Sequence, residues 1–174
     1  MIRGFRKFSQ SADYHGEKLV IVGIRQPDDT EVYDLIQSTP GVLHLSGISG
    51  QDLKMLYHKA IGFFLISFME GFGIPLLEAM TCGTPSCYSA GTSLQEIGRD
   101  GAFSVPPTDI DAIANQFAVF ADSGDVIKIP WKNVCRSPGN IRQTLWHGKP
   151  WTYTIRLFSR IGDLLLKKHG YGKI

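Results

Sequence analysis

Two glutamates, Glu70 and Glu78, stand with seven residues between them, and the intervening chain opens Gly71-Phe72-Gly73-Ile74-Pro75. Glycines on both sides of Phe72 permit unusual backbone angles and close approach by a ligand. Proline at position 75 suits the first turn of a helix over "PLLEAMTCG", and free N–H groups at such a start form a positive pole suited to phosphate or hydroxyl oxygens. Glu78 is expected in that helix's first turn, where the dipole favours an ionised carboxylate. Such a group accepts hydrogen bonds from both hydroxyls of a diol such as a ribose. Glu70, at the end of the apolar stretch "GFFLIS", faces the chemistry itself. Plainer readings stand beside these: an acid near a helix start complements the dipole, and glycine pairs are common in strand-to-helix turns. The bare chemistry is that of an anion or polyol site at a sheet edge.

The elements that position these residues follow from period and punctuation. Ile2, Phe5, Phe8 and Ala12 recur at helical spacing. "KLVIVG" is a continuous apolar run ending in glycine, as in a parallel strand buried on both faces. Val32, Leu35 and Ile36 mark a second helix, closed by Pro40-Gly41, and "VLHLSG" a second strand. Ser49 stands three residues before Asp52 in a capping-box pattern leading into "LKMLYHKA". "GFFLIS", "TPSCYS" and "GAFSVP" are three further strands. Between the last two lies a short helix or turn, "SLQEIG", with Ser93 as its candidate cap, and Thr108 with Asp111 forms a second capping-box pattern before "IDAIANQFAVFA". Strand-helix alternation of this kind builds a doubly wound, Rossmann-like parallel sheet with helices on both faces.

We expect residues 1–124 to form this core and 125–174 an irregular segment, rich in Pro and Gly breakers, with a C-terminal helix over "WTYTIRLFSRIGDLLLKKHG" packing on the same domain. A chain of 174 residues suffices for one domain with a real core. The net charge of +2 gives no reason to expect nucleic acid as a partner. The longest apolar run, 60–68, is interrupted by Gly62 and far shorter than the roughly 20 residues a membrane-spanning helix needs. Three cysteines, without CxxC or metal-type spacing, point to reduced thiols and a cytoplasmic setting. Basic and aromatic residues in the closing segment suit a peripheral membrane contact, beside the plainer reading of packing on its own or a partner domain. A dinucleotide dehydrogenase is disfavoured because no G-x-G-x-x-G follows a strand.

Several ordered segments together resemble one family. "EGFGIPLLEAMTCGTP" is similar to the signature of group-1 retaining glycosyltransferases of the GT-B type, in which two glutamates flank seven residues. "KLVIVG", "VLHLSGISGQDLKMLYHKA" and "SLQEIGRDGAFSVPPTDIDAIA" resemble its other segments in order and spacing. The resemblance implies the C-terminal, donor-binding half of a two-domain enzyme that transfers a hexose from a nucleotide-diphosphate sugar with retention of configuration. Glu78 would bind the ribose hydroxyls, and Glu70 would sit at the donor sugar and its anomeric centre as the catalytic residue. Gly71, Phe72, Gly73 and Ile74 would meet sugar hydroxyls and diphosphate, while Gly23, Gly47 and Ile48 would shape the base pocket; Ile48 serves equally well as core. Glu96 matches a family acid or fixes its own loop.

The resemblance also marks gaps. The donor is a substrate, and no cofactor or metal is expected. The acceptor-binding domain has no counterpart here, so it must come in cis or from a partner chain, and the chain alone is expected to be inactive; a non-catalytic sugar-nucleotide binder or scaffold is the alternative. The strand that should precede the first helix, and the basic pair that follows it to hold the diphosphate, have no match. Arg3, Arg6 and Lys7 are the nearby substitutes for that pair. Without the strand, inner sheet edges stay open unless a partner or a rearranged sheet fills the place.

Overall fold

The computed structural model describes residues 1–26 and 30–122, together with the backbone of a strand at Thr154–Phe158. Strands β1 (Lys18–Val22), β2 (Val42–Leu45), β3 (Gly62–Leu65), β4 (Ser86–Ser89), β5 (Phe103–Val105) and β6 (Thr154–Phe158) form one sheet in the order β2-β1-β6-β3-β4-β5. Helices α1 (Ile2–Phe8), α2 (Thr30–Gln37), α3 (Gly50–Lys59), α4 (Ile74–Thr81), α5 (Leu94–Gly98) and α6 (Ile110–Asp122) cover its two faces. β1 and β2 pair in parallel, as do β3, β4 and β5. The expected doubly wound, Rossmann-like α/β fold is therefore present.

Side-chain alternation sorts the core into two layers. Leu19, Ile21, Val42, Phe64, Cys87 and Val105 point to one face, where Phe5 and Phe8 of α1, Ile36 of α2 and Phe117 and Phe120 of α6 meet them. Phe117 lies 4.1 Å, centroid to centroid, from Phe64, and Phe5 meets Phe117 edge-on at 5.5 Å. On the other face Val20, Leu43 and Leu45 receive Leu56 of α3, while Phe63, Leu65 and Tyr88 receive Leu76 and Ala79 of α4 and Leu94 of α5. Burial on both faces explains why these strands read as unbroken apolar runs.

The C-terminal helix expected over 151–170 is corrected near its start: Thr154–Phe158 is a strand, antiparallel to both neighbours, with Lys18 opposite Phe158 and Phe63 opposite Arg156. Two open edges, those of β1 and β3, face each other across one strand's width, and an extended segment satisfies both ladders where a helix satisfies neither. The Thr-Ile-Arg-Leu-Phe composition suits a strand. β6 thus stands at the centre of the sheet, between β1 and β3. The rest of the expected 125–174 unit lies outside the described residues, as does Cys135.

Two caps differ from expectation. Ser49 caps α3 as foreseen, its hydroxyl accepting from the Asp52 N–H at 3.2 Å and donating to the Asp52 carboxylate at 2.8 Å. At α6 the cap is Asp109 rather than Thr108, with Oδ1 accepting from the N–H groups of Asp111 and Ala112 at 3.0 and 2.9 Å. Ser93 makes no cap bond at α5; its hydroxyl is used elsewhere. α1 also stops at Phe8, a turn short of Ala12, in a series of bends over 9–16.

Candidate functional site

The carboxyl ends of the parallel strands meet at one edge, and the Glu70–Gly73 turn rises there between β3 and α4. Gly73 holds φ +75°, and a Cβ on it would collide with the Leu94 side chain, so only glycine fits this turn. The N–H groups of Gly71, Phe72, Gly73 and Ile74 have no acceptor among the described residues, and Pro75 has no N–H to satisfy. Four donors at one helix start are therefore free for a ligand's oxygens. Phe68, Met69 and Phe72 stand out from this turn, the first two at 77% and 89% exposure.

Ser93 pins the turn from the next loop. Its hydroxyl lies 2.8 Å from the carbonyl of Glu70 and 3.1 Å from that of Gly71, donating to this pair. The N–H of Ser67 donates to Ser89 Oγ at 2.6 Å. The loops after β3 and β4 are thus joined at both ends, which fixes where the free donors point.

Glu70 is half-buried, and its Oε2 is enclosed without a hydrogen-bond partner among the described residues, as is Ser67 Oγ nearby. Burial raises the Glu70 pKa above the usual carboxyl value, and the Ser67 hydroxyl, near the carboxyl group though not in hydrogen-bonding geometry with it, offsets part of the rise. An enclosed carboxyl oxygen with unused capacity, beside four free N–H groups, is suited to a polyhydroxylated ligand.

Glu78 needs a correction. α4 begins at Ile74, so Glu78 lies one full turn in, and no acid occupies the first turn. Dipole attraction fades within that first turn. The group that orients this exposed carboxylate is instead Tyr57 of α3, whose hydroxyl donates to Glu78 Oε2 at 3.0 Å. Tyr57 is itself 3% exposed, packed edge-on to Phe63 at 5.6 Å, with its carbonyl accepting from Thr84 at 2.6 Å. Glu78 Oε1 remains directed by a rigid neighbour yet open to a ligand. Tyr57 was not singled out from sequence, and Ser93 was read only as the cap of α5; a tyrosine in a helix and a serine in a turn carry no spacing signal for the contacts they make here.

Gly23 ends β1, its N–H donating to the Leu45 carbonyl at 3.1 Å, and Gly47 follows β2 at φ +64°. Ile48 is part-buried against Val20, Leu43 and Leu45, so core packing accounts for it. Glu96 is exposed on α5, where its backbone N–H donates to the Ser93 carbonyl and its own carbonyl accepts from Arg99. The substitutes for the basic pair are occupied: Arg3 lies 3.6 Å from Glu31, Lys7 2.6 Å from Asp111, and Arg6 donates to Ser38 and Thr39 at 2.9 and 2.8 Å. The triplet Asp109-Ile110-Asp111 is an Asp-x-Asp match with structural work to do, one carboxylate capping α6 and the other pairing with Lys7. Among the described residues no three His, Cys, Asp or Glu side chains group to hold a metal. Burial pushes the Cys87 thiol up to about 12, so it is an inert core group. A cavity of about 590 Å³ lined by Arg6, Ser9, Gln10, Tyr14, Ser38 and Pro40 opens at the amino-terminal edge of β1 and β2, away from the glutamates.

Fold and edge together define a doubly wound α/β domain that offers backbone donors and two carboxylates at the carboxyl ends of its strands. The chain belongs to the glycosyl transferases group 1, whose family model matches residues 1–126. It is 38% identical over 99 residues to the O-antigen chain mannosyltransferase B of Escherichia coli, covering 55% of this chain and 26% of that protein. It is 41% identical over 68 residues to the O-antigen chain mannosyltransferase RfbU of Salmonella typhimurium, covering 39% and 19%. Its fold matches sucrose-phosphate synthase from Thermosynechococcus elongatus with a TM-score of 0.56 at 22% identity, over 76% of this chain and 39% of that one. The match thus spans about a quarter or less of the two mannosyltransferases. No helix among the described residues is long and apolar enough to cross a membrane.

Proposed function

We propose that this chain is the donor half of a retaining hexosyltransferase, taking a nucleotide-diphosphate sugar across the carboxyl edge of its sheet. The observation that carries the reading is the pairing of four free N–H groups at Gly71–Ile74 with two differently held carboxylates on either side of them. Glu78, oriented by Tyr57, takes the ribose diol; Gly71, Phe72, Gly73 and Ile74 meet the diphosphate and sugar oxygens; Gly23 and Gly47 border the base. Glu70 faces the sugar's anomeric carbon. In the reaction the bond from that carbon to the phosphate oxygen breaks, and the acceptor oxygen bonds to the same face. The acceptor's proton leaves with the departing diphosphate. Kinship with mannosyltransferases supports mannose as the hexose.

The reading assigns the donor core to residues 1–124, with 125–174 completing the same domain. An acceptor-binding domain, in cis or on a partner chain, supplies the other wall of the cleft, and the exposed Phe68, Met69 and Phe72 border the space it would face. A cytoplasmic location, with peripheral membrane contact through the closing segment, suits a lipid-linked acceptor.

Calorimetric titration of the chain with UDP, GDP and ADP tests the donor site. Saturable binding of one of them, weakened about 10-fold or more in Glu78→Gln, is expected from losing a charge-assisted contact to a diol. Absence of binding by the unaltered chain at millimolar nucleotide would overturn the reading.

A further inference from the structure

A bound diphosphate carries two or more negative charges, and the α1 cations that could answer them are already engaged. In sequence, the stretches between each parallel strand and the helix that follows it are residues 23–29, 46–49, 66–73, 90–93 and 106–109. They contain a single lysine or arginine, Arg25. It lies three residues beyond the end of β1, a strand that flanks the central β6. β1 and β3 flank β6, so their ligand ends are about 10 Å apart, two strand spacings.

Arg25 is exposed, and among the described residues it meets no carboxylate. It rests on a neutral surface instead: its guanidinium carbon is 4.0 Å from the centre of the Tyr33 ring. That ring is itself tethered. The Tyr33 hydroxyl is 2.7 Å from His44 Nδ1, and His44 Nε2 is 3.0 Å from the Gly23 carbonyl. Neutral imidazole satisfies both bonds at once, donating from Nε2 to Gly23 and accepting at Nδ1 from Tyr33. Burial of His44, with the Arg25 charge adding to it, favours that neutral form, although the Gly23 bond works the other way. A guanidinium lying over a tethered ring keeps its charge, and its N–H groups meet no acceptor among the described residues. The closed circuit Gly23–His44–Tyr33–Arg25 ties the cation to the very turn that ends β1.

We infer that Arg25 is the cation that receives the diphosphate of the donor, and that Tyr33 and His44 are the positioning residues that hold it there. This rests on the donor-site reading above. A phosphate-directed role predicts a loss that depends on the phosphates and not on the nucleoside.

The test is a titration of the full chain and of Arg25→Ala, Arg25→Lys, Tyr33→Ala and Glu78→Gln with guanosine, GDP, uridine and UDP. The affinity ratio of each diphosphate to its nucleoside is the readout. Arg25→Ala should lower that ratio about 10-fold or more, the scale of one charge-assisted phosphate contact, with nucleoside affinity unchanged. Arg25→Lys should restore most of the ratio, and Tyr33→Ala should fall between. Raising the salt concentration should erode the difference. Glu78→Gln should weaken nucleoside and diphosphate alike, leaving the ratio as it was. A ratio unmoved in Arg25→Ala, while Glu78→Gln does weaken binding, would overturn the inference and leave the donor site standing. Indifference of every ligand to Glu78→Gln, or no binding at all, would overturn the donor-site reading and this inference with it.

Discussion

At the scale of residues, the two glutamates are distinguished by what surrounds them. Glu70 has an enclosed, unpartnered oxygen and a raised pKa; Glu78 is exposed and steered by a buried tyrosine. A carboxyl whose folded-state pKa is raised binds its proton more tightly in the folded chain than in the unfolded one. Its burial therefore costs stability as the pH rises above the ordinary value of 4.5, and that cost is absent well below it. Glu70→Gln should melt above the unaltered chain at pH 7, with the gap closing by about pH 4, as followed by circular dichroism. A gap independent of pH would show that the carboxylate carries no such cost. Tyr57→Phe keeps the packing against Phe63 and removes only the hydroxyl, so it should weaken nucleotide binding by a few-fold with little change in melting temperature. The Glu-Gly-Phe-Gly signature was legible in the sequence because its spacing is local. The contacts of Tyr57 and Ser93 were not, because each reaches its partner across about twenty positions: 21 for Tyr57 to Glu78 and 23 for Ser93 to Glu70.

At the scale of elements, the alternation of apolar runs with capped helical stretches foretold β1 through β5 and α2 through α6 in order, since both-face burial leaves an unmistakable composition in each strand. Boundaries were less legible. Asp109 outcompetes Thr108 as the cap of α6 by reaching two N–H groups at once, and α4 starts one residue before its proline. Asp109→Ala should therefore destabilise the fold by about 1 kcal/mol, the usual cost of a lost cap, whereas Thr108→Ala should be near neutral in a urea titration. β6 was misread because "TIRLF" fits either period, and what decides it is the pair of open ladders far away in sequence. Ile155→Pro removes an N–H from a strand paired on both sides and should lower stability by roughly 3 kcal/mol or more in the same titration, an effect that an exposed helix end would not show.

At the scale of the molecule, β6 closes the sheet at its centre, and the order β2-β1-β6-β3-β4-β5 keeps the carboxyl ends of β1 and β3 on either side of it. The edge so formed carries the free donors, both glutamates and Arg25, while the opposite edge carries the cavity beside Arg6, whose guanidinium is already spent on Ser38 and Thr39. If the chain is the donor half proposed above, it is expected to show nucleotide binding but no sugar transfer when offered UDP-, GDP- and ADP-sugars. The most direct test of which edge does the work is a titration of the isotopically labelled chain with GDP and UDP, followed through backbone amide resonances. The account predicts that shifts concentrate at Gly23, Arg25, Gly47 and Glu70–Ile74, and near Glu78. Shifts centred on Arg6, Ser38 and Gly41 instead, or none at saturating nucleotide, would contradict it.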